Sequence, residues 1–153
     1  MPETYARIFI QIIIAVRFRK ALISPAWEDD LYKYITGIVK AKGQKMLAIN
    51  GMPDHVHMLI GIRPECHLPD LVREIKKSTN NFINKNRLTS QRFYWQNGYA
   101  AFSYGRSQMM QVVNYIERQK EIHRRRDLRQ EYIQLLTRFE VKFKNEYLFE
   151  LSD

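Results

Sequence analysis

The stretch YARIFIQIIIAVRFR, residues 5–19, constrains the fold more than any other part of the chain. On the two-residue alternation of a strand, Ile8, Ile10, Ile12, Ile14, Val16 and Phe18 share one face. The other face carries Phe9, Ile13 and Ala15 among Arg7, Gln11 and Arg17, so it is partly covered as well. A strand that offers apolar groups to both sides needs packing on both sides, which makes this a central strand.

The rest of the pattern builds a sheet around it. Ser24 followed by Pro25 is an N-cap and first-turn signal, and Trp27, Leu31, Tyr34, Ile35 and Ile38 recur at helical spacing until Gly43. Residues 45–51 and 54–62 read as two strands of a hairpin around NGMPD. A second amphipathic helix aligns Leu68, Leu71, Val72, Ile75, Thr79, Phe82 and Ile83, with Arg73, Lys76, Lys77 and Lys85 on its other side. Residues 92–104 read as a fourth strand interrupted at Asn97 and Gly98. Ser107 then caps a third helix of about 15 residues, and a charged joint at Arg124 to Arg126 leads to a fourth helix and the apolar tail EYLFEL. The order β-α-β-β-α-β predicts an α+β, ferredoxin-like or RRM-like sheet with added C-terminal helices.

At 153 residues the chain suits one domain. Its core is expected at about 5–104, a further helix at about 107–122, and a C-terminal helix and tail at about 126–150. The longest apolar runs fall well short of the roughly 20 residues that span a bilayer, and no signal-peptide pattern is present, so a cytoplasmic protein is expected. Cys66 stands alone, which rules out an internal disulfide and fits a reducing compartment. Twenty-five Lys and Arg against 16 Asp and Glu give a net charge of +9 and a pI near 9.7. That balance suits a polyanion, because each cation that neutralises a phosphate releases a condensed counterion.

Within PDHVH, His55 and His57 project from one face of a strand about 7 Å apart, near enough to share a metal ion. Two ordinary hydrogen-bonded histidines would produce the same pattern, so a third ligand is needed. The third helix is the best source of one: Met109, Val112, Val113, Ile116 and His123 face the sheet, while Tyr115 and Gln119, at i and i+4, stand together on the flank with Gln108 nearby, a spacing that a core-packing tyrosine and a surface glutamine give as well.

These residues resemble the HUH single-tyrosine transposases of small bacterial insertion sequences, the IS200-like group. The likeness runs through YKYITGIVKAKGQKMLAINGMPDHVHMLIG, FYWQNGYAAFSYGRSQ and VVNYIERQKEIH. His55, Val56 and His57 are the His-hydrophobic-His element, and Tyr115 and Gln119 match the tyrosine and glutamine of Tyr-x-x-x-Gln. The chain departs from many members at Arg118, Ile122 and Ala100.

The resemblance implies a nucleophilic Tyr115 and a divalent cation, Mg²⁺ or Mn²⁺, held by His55, His57 and Gln119. It also implies a 5′-phosphotyrosine intermediate with a free 3′-hydroxyl, single-stranded DNA carrying hairpins as substrate, and a homodimer in which one chain's tyrosine helix can serve its partner's histidines. A phenol has a pKa near 10, so such a nucleophile needs help at neutral pH, and a cation that polarises the phosphate supplies it.

Phosphate contacts are expected from Lys76, Lys77, Lys85 and Arg87 on the second helix and from a cluster at Arg124, Arg125, Arg126 and Arg129. Among Phe93, Tyr94, Trp95, Tyr99, Phe102 and Tyr104, alternation leaves about one in three to stack on bases. Two competing readings remain. A non-catalytic RRM-like module shares the element order, but Asn97 and Ala101 break its motif and the histidines go unused. An HUH nuclease acting on chromosomal repeat hairpins would use the same groups as a transposase. A zinc hydrolase built on Cys66 and His67 lacks a placed general base.

Overall fold

The computed structural model describes residues 6–122 and 127–144. Its strands are β1 (Ile8–Ala15), β2 (Lys45–Met52), β3 (His55–Ile62) and β4 (Ala100–Tyr104). Its helices are α1 (Glu28–Ala41), α2 (Leu68–Lys85), α3 (Met109–Glu117), α4 (Gln119–Ile122) and α5 (Leu128–Arg138). The sheet order is β2-β3-β1-β4 with every neighbouring pair antiparallel, so the doubly apolar strand β1 is central, as its composition requires.

Register decides which side chains share a face. Ile12 opposes Met58 and Ile14 opposes Val56, and these pack with Leu31, Ile35 and Val39 of α1 and Val72 and Ile75 of α2. One residue out of step, Ile13 opposes His57, Ala15 opposes His55 and Gln11 opposes Leu59. That second face is covered by α3 through Val112 and Ile116 and by α5 through Leu128, Tyr132 and Leu135. The two added helices therefore complete a second layer, and the histidines lie beneath it.

The chain departs from the expected elements at three places. Helix α1 starts at Glu28, not at Ser24. Ser24 forms a preceding turn in which its carbonyl accepts from Trp27 and Glu28 and its Oγ accepts from Ala26 at 3.1 Å. Glu28, Asp29 and Asp30 then place negative charge at the helix start, where the backbone dipole favours it. The expected fourth strand is reduced to β4, because Gly98 at φ +81 turns the chain and only Trp95 bridges back to Val16. The expected third helix breaks at Arg118, which leaves helical geometry with φ −97 and ψ 18 and separates α3 from α4. The apolar tail EYLFEL and the Arg124 to Arg126 joint lie outside the described residues.

Candidate active site

Strand β3 alternates Val56, Met58 and Ile60 toward α1 and α2 with His55 and His57 toward α3 and α5. Both imidazoles are fully buried, with ring centroids 5.0 Å apart. The hairpin that leads into them depends on Gly51, since a Cβ there would lie 2.2 Å from the His55 carbonyl oxygen. No side chain fits that gap without moving the backbone of the first histidine.

The break at Arg118 orients the next two groups. Asn50 Nδ2 donates to the Glu117 carbonyl at 3.0 Å, and Lys120 Nζ reaches the Gly51 carbonyl at 2.8 Å and Glu28 Oε2 at 3.1 Å. These contacts clamp the α3–α4 junction onto the β2–β3 hairpin. Gln119, buried between them, places Oε1 3.4 Å from His55 Nε2. Tyr115, one turn earlier, sets its ring edge-on to His57 with centroids 6.0 Å apart.

A fifth group comes from α5. Asp127 caps that helix, its carboxylate accepting from the Gln130 amide at 2.9 Å while Gln130 Oε1 accepts from the Asp127 amide. Leu128, Tyr132 and Leu135 form its inward stripe, and the Tyr132 hydroxyl donates to the Ile13 carbonyl at 3.4 Å, fastening the helix across β1. Glu131 occupies the same stripe and is buried at 1% exposure. Its Oε1 accepts from the Tyr115 hydroxyl and lies 2.8 Å from His57 Nε2. His55, His57 and Glu131 each offer a ligand atom within 4.8 Å of the others.

Behind the imidazoles a hydrogen-bond chain sets their orientation. The Tyr104 hydroxyl donates to Gln11 Oε1 at 2.7 Å, so the Gln11 amide nitrogen donates to His57 Nδ1 at 3.0 Å. Burial pushes the Tyr104 hydroxyl above its ordinary range against the opposing charge of Arg138, which keeps it a protonated donor. His55 Nδ1 faces Asp54 Oδ1 at 2.7 Å. When that contact takes the Nδ1 proton, His55 Nε2 turns a lone pair toward Gln119 Oε1, another acceptor.

Two facing acceptors beside a buried carboxylate are relieved by a positive charge between them, so the donor set fits a divalent cation. Two imidazoles, a carboxylate and an amide oxygen form a mixed nitrogen and oxygen set. Ligation through His57 Nε2 requires the opposite tautomer. The Gln11 amide can turn over to allow it, because the Tyr104 hydroxyl accepts as well as donates.

The residues expected from sequence thus meet at one point: His55, His57, Tyr115 and Gln119 converge within a single chain. Glu131 and Gln11 were not among them. Glu131 is visible in retrospect as a carboxylate on the apolar stripe of an amphipathic helix, a position where an unpaired charge is costly.

The expected DNA contacts divide differently. Lys76 Nζ donates to the carbonyls of Gln96 and Gly98, at 2.7 and 2.5 Å, and so holds the loop before β4. Lys77, Lys85 and Arg87 are exposed, on or just beyond a helix that packs against the face away from the histidines. Arg124 and Arg125 lie outside the described residues. Of the six aromatics, Phe93, Trp95 and Phe102 are core, Tyr104 is engaged with Gln11, and Tyr94 and Tyr99 are exposed. His67 pairs with Asp70 on the surface at 3.0 Å.

The four-stranded antiparallel sheet, with its buried histidine pair under a helical tyrosine and glutamine, is of the transposase class. Residues 4–119 match the family described as "Transposase IS200 like", and the chain belongs to it. It is 24% identical over 115 residues to the ISDra2 transposase TnpA of Deinococcus radiodurans, covering 72% of this chain and 82% of that protein. Its fold is similar to a crystal structure assigned to a transposase from the same organism, with TM-score 0.64 and 22% identity over 78% of this chain and 95% of that one. It is also similar to a REP-associated tyrosine transposase bound to a REP hairpin, with TM-score 0.59 and 14% identity over 100% of this chain and 93% of that one. The family match ends at residue 119, before Glu131.

Proposed function

We propose that this chain cleaves and rejoins single-stranded DNA at hairpin-bearing ends, with Tyr115 as nucleophile. Residues 1–153 act as one domain in this reading. His55, His57, Gln119 and Glu131 hold a divalent cation, Mg²⁺ or Mn²⁺. When bound, that cation supplies Lewis-acid polarisation of the scissile phosphate. Tyr115 Oη forms a bond to phosphorus while the bond to the 3′-oxygen breaks. Glu131 receives the phenolic proton, and the departing 3′-oxygen takes up a proton to become a hydroxyl. The product is a 5′-phosphotyrosine, which conserves the phosphodiester so that another 3′-hydroxyl can displace the tyrosine.

The observation that supports the reading best is the shared carboxylate: Glu131 contacts both the Tyr115 hydroxyl and His57. It ties the nucleophile to the cation ligands. All five groups belong to one chain, which supports action in cis. A homodimer, expected from the resemblance, is then not needed to bring Tyr115 to the metal. The test is incubation with a hairpin oligonucleotide carrying a single-stranded flank and Mn²⁺. An SDS-stable adduct is expected from the wild type and none from Tyr115→Phe. An adduct from the Phe variant would remove Tyr115 from the role.

A second reading has one observation in its favour. The likeness to the REP-hairpin-bound transposase covers the whole of this chain. On that reading the substrate is a chromosomal repeat hairpin, and the chemistry is unchanged. Hairpin sequences flanking the gene on both sides as element ends favour the first reading, and dispersed repeats favour the second.

A further inference from the structure

Directly after β1 the chain forms a 3-10 turn, Arg17–Arg19, in which Phe18 has φ 58 and ψ 18 and Arg19 has φ 53. Two successive non-glycine residues in the left-handed region are unfavourable, and a bulky ring makes the first more so. Such conformations persist where the surroundings impose them, and they gather at functional positions.

The surroundings here are specific. Val16 donates to the Asp54 carbonyl at 2.8 Å, Arg17 to the Tyr94 carbonyl at 2.9 Å, and Lys20 Nζ to Gln91 Oε1 at 3.1 Å. These bonds clip the turn to the β2–β3 hairpin at Asp54 and to the 91–95 segment, forming a platform. The Arg17 guanidinium lies over both the Phe18 ring at 5.1 Å and the Tyr94 ring at 5.5 Å. Arg92 lies 5.6 Å from the Tyr94 centroid and Lys20 5.7 Å from that of Phe18. A shallow cavity of about 160 Å³ opens between Phe18, Lys20 and Tyr94.

Neither 16–23 nor 86–99 contains an acidic residue, while together they hold Arg17, Arg19, Lys20, Arg87 and Arg92. Tyr94 is 42% exposed. A turn built only to close the sheet would place glycine or asparagine at Phe18 and would need no aromatic at its surface. The platform adjoins the cation site, since Ala15 opposes His55 and Val16 is bonded to Asp54.

We infer that Phe18 and Tyr94, within the cationic rim of Arg17, Arg19, Lys20 and Arg92, bind an unpaired nucleotide of single-stranded DNA beside the histidine pair. The base stacks on an aromatic face and the phosphates meet the cations, which is how sequence-tolerant single-strand sites work. The inference rests on the DNA substrate proposed above and adds to it the place where the flank is held.

The test measures affinity by fluorescence anisotropy for one hairpin in three forms: blunt, with a single-stranded flank, and with an abasic flank. Wild type is expected to prefer the normal flank over the abasic one. Phe18→Gly and Tyr94→Ala are expected to weaken flanked-hairpin binding about tenfold, within the range for losing one stacked base, and to leave the blunt hairpin unchanged. Because glycine suits the left-handed conformation, Phe18→Gly is also expected to melt no lower than wild type. Equal affinities of wild type and both variants for the flanked hairpin overturn the inference, as does equal binding of abasic and normal flanks by wild type. Adduct formation is a separate readout. Its absence with flank-dependent binding intact would count against the proposed chemistry and not against this site.

Discussion

The Tyr115 hydroxyl donates its hydrogen bond to Glu131, a carboxylate sixteen residues further along that also lies 2.8 Å from His57 Nε2. Without α5 the tyrosine would face a pair of imidazoles. With it, a carboxyl group lies between Tyr115 and His57, placed to accept a proton from one side and, on the proposed reading, to support a cation from the other. Glu131→Gln keeps the shape and removes the charge. Adduct formation is expected to slow by about 10²- to 10³-fold, the usual range for loss of a positioned base, followed by denaturing electrophoresis against time. A Gln variant that forms adduct at the wild-type rate would reduce Glu131 to a structural residue.

Metal preference follows from the donor set. Mg²⁺ favours oxygen ligands and retains several waters, whereas Mn²⁺ accepts imidazole more readily under the general affinity order for divalent metals. With two histidines in the set, Mn²⁺ is expected to support adduct formation at a concentration at least tenfold below that required for Mg²⁺. EDTA is expected to abolish adduct with either. Titration of both ions at fixed DNA measures this, and a preference for Mg²⁺ would argue against a site with both imidazoles as ligands.

The sheet was legible because its signals are local and repeated. Ile8 to Val16 alternate without a break, Gly43 ends α1 at φ +82, and Leu71, Val72, Ile75 and Ile83 keep helical spacing through α2. Alternation put the two histidines on one face and a helical turn put Tyr115 beside Gln119, but only the resemblance to a known family joined the two pairs into one expected site. Glu131 was not, because no short spacing links it to them. Its role arises only when α5 lies across β1, a tertiary event fixed by Tyr132 and Leu135 meeting Ile13 and Phe102. The break at Arg118 was hidden for a similar reason: it is set by Asn50 and Lys120 reaching across from other elements. Charge was the poorest guide. Lys76 looks like its neighbour Lys77 in sequence, yet it is tied to two backbone carbonyls.

That difference between adjacent lysines is measurable. Lys76 makes two charge-assisted bonds to the loop that carries Asn97 and Gly98, so Lys76→Ala is expected to cost about 2 kcal/mol of stability. Its effect on the salt dependence of DNA binding is expected to be small. Lys77→Ala, exposed on the same helix, is expected to melt within experimental error of wild type. Chemical denaturation paired with binding at several salt concentrations separates the two. A Lys76→Ala protein of wild-type stability with a reduced salt slope would return Lys76 to the phosphate-contacting group.

Gln11 is a buried polar residue directly behind the proposed cation site. It lies at the centre of β1, fully buried, and joins Tyr104 to His57 Nδ1. When Gln11 Nε2 donates to Nδ1, neutral His57 carries its proton on Nε2, the atom 2.8 Å from Glu131 Oε1. When the amide turns over, Nδ1 donates to Gln11 Oε1 and Nε2 is left with a lone pair for a metal. Gln11→Leu removes both options and leaves the Tyr104 hydroxyl without that partner, while keeping most of the volume. Mn²⁺ affinity measured by calorimetry is expected to fall by about 10- to 100-fold, the range for loss of a hydrogen-bond partner behind a ligating imidazole. Since leucine suits a buried strand position, the fold is expected to survive, and saturating Mn²⁺ should restore much of the adduct yield. Unchanged affinity in the Leu variant would mean that His57 either is oriented by Glu131 alone or does not ligate.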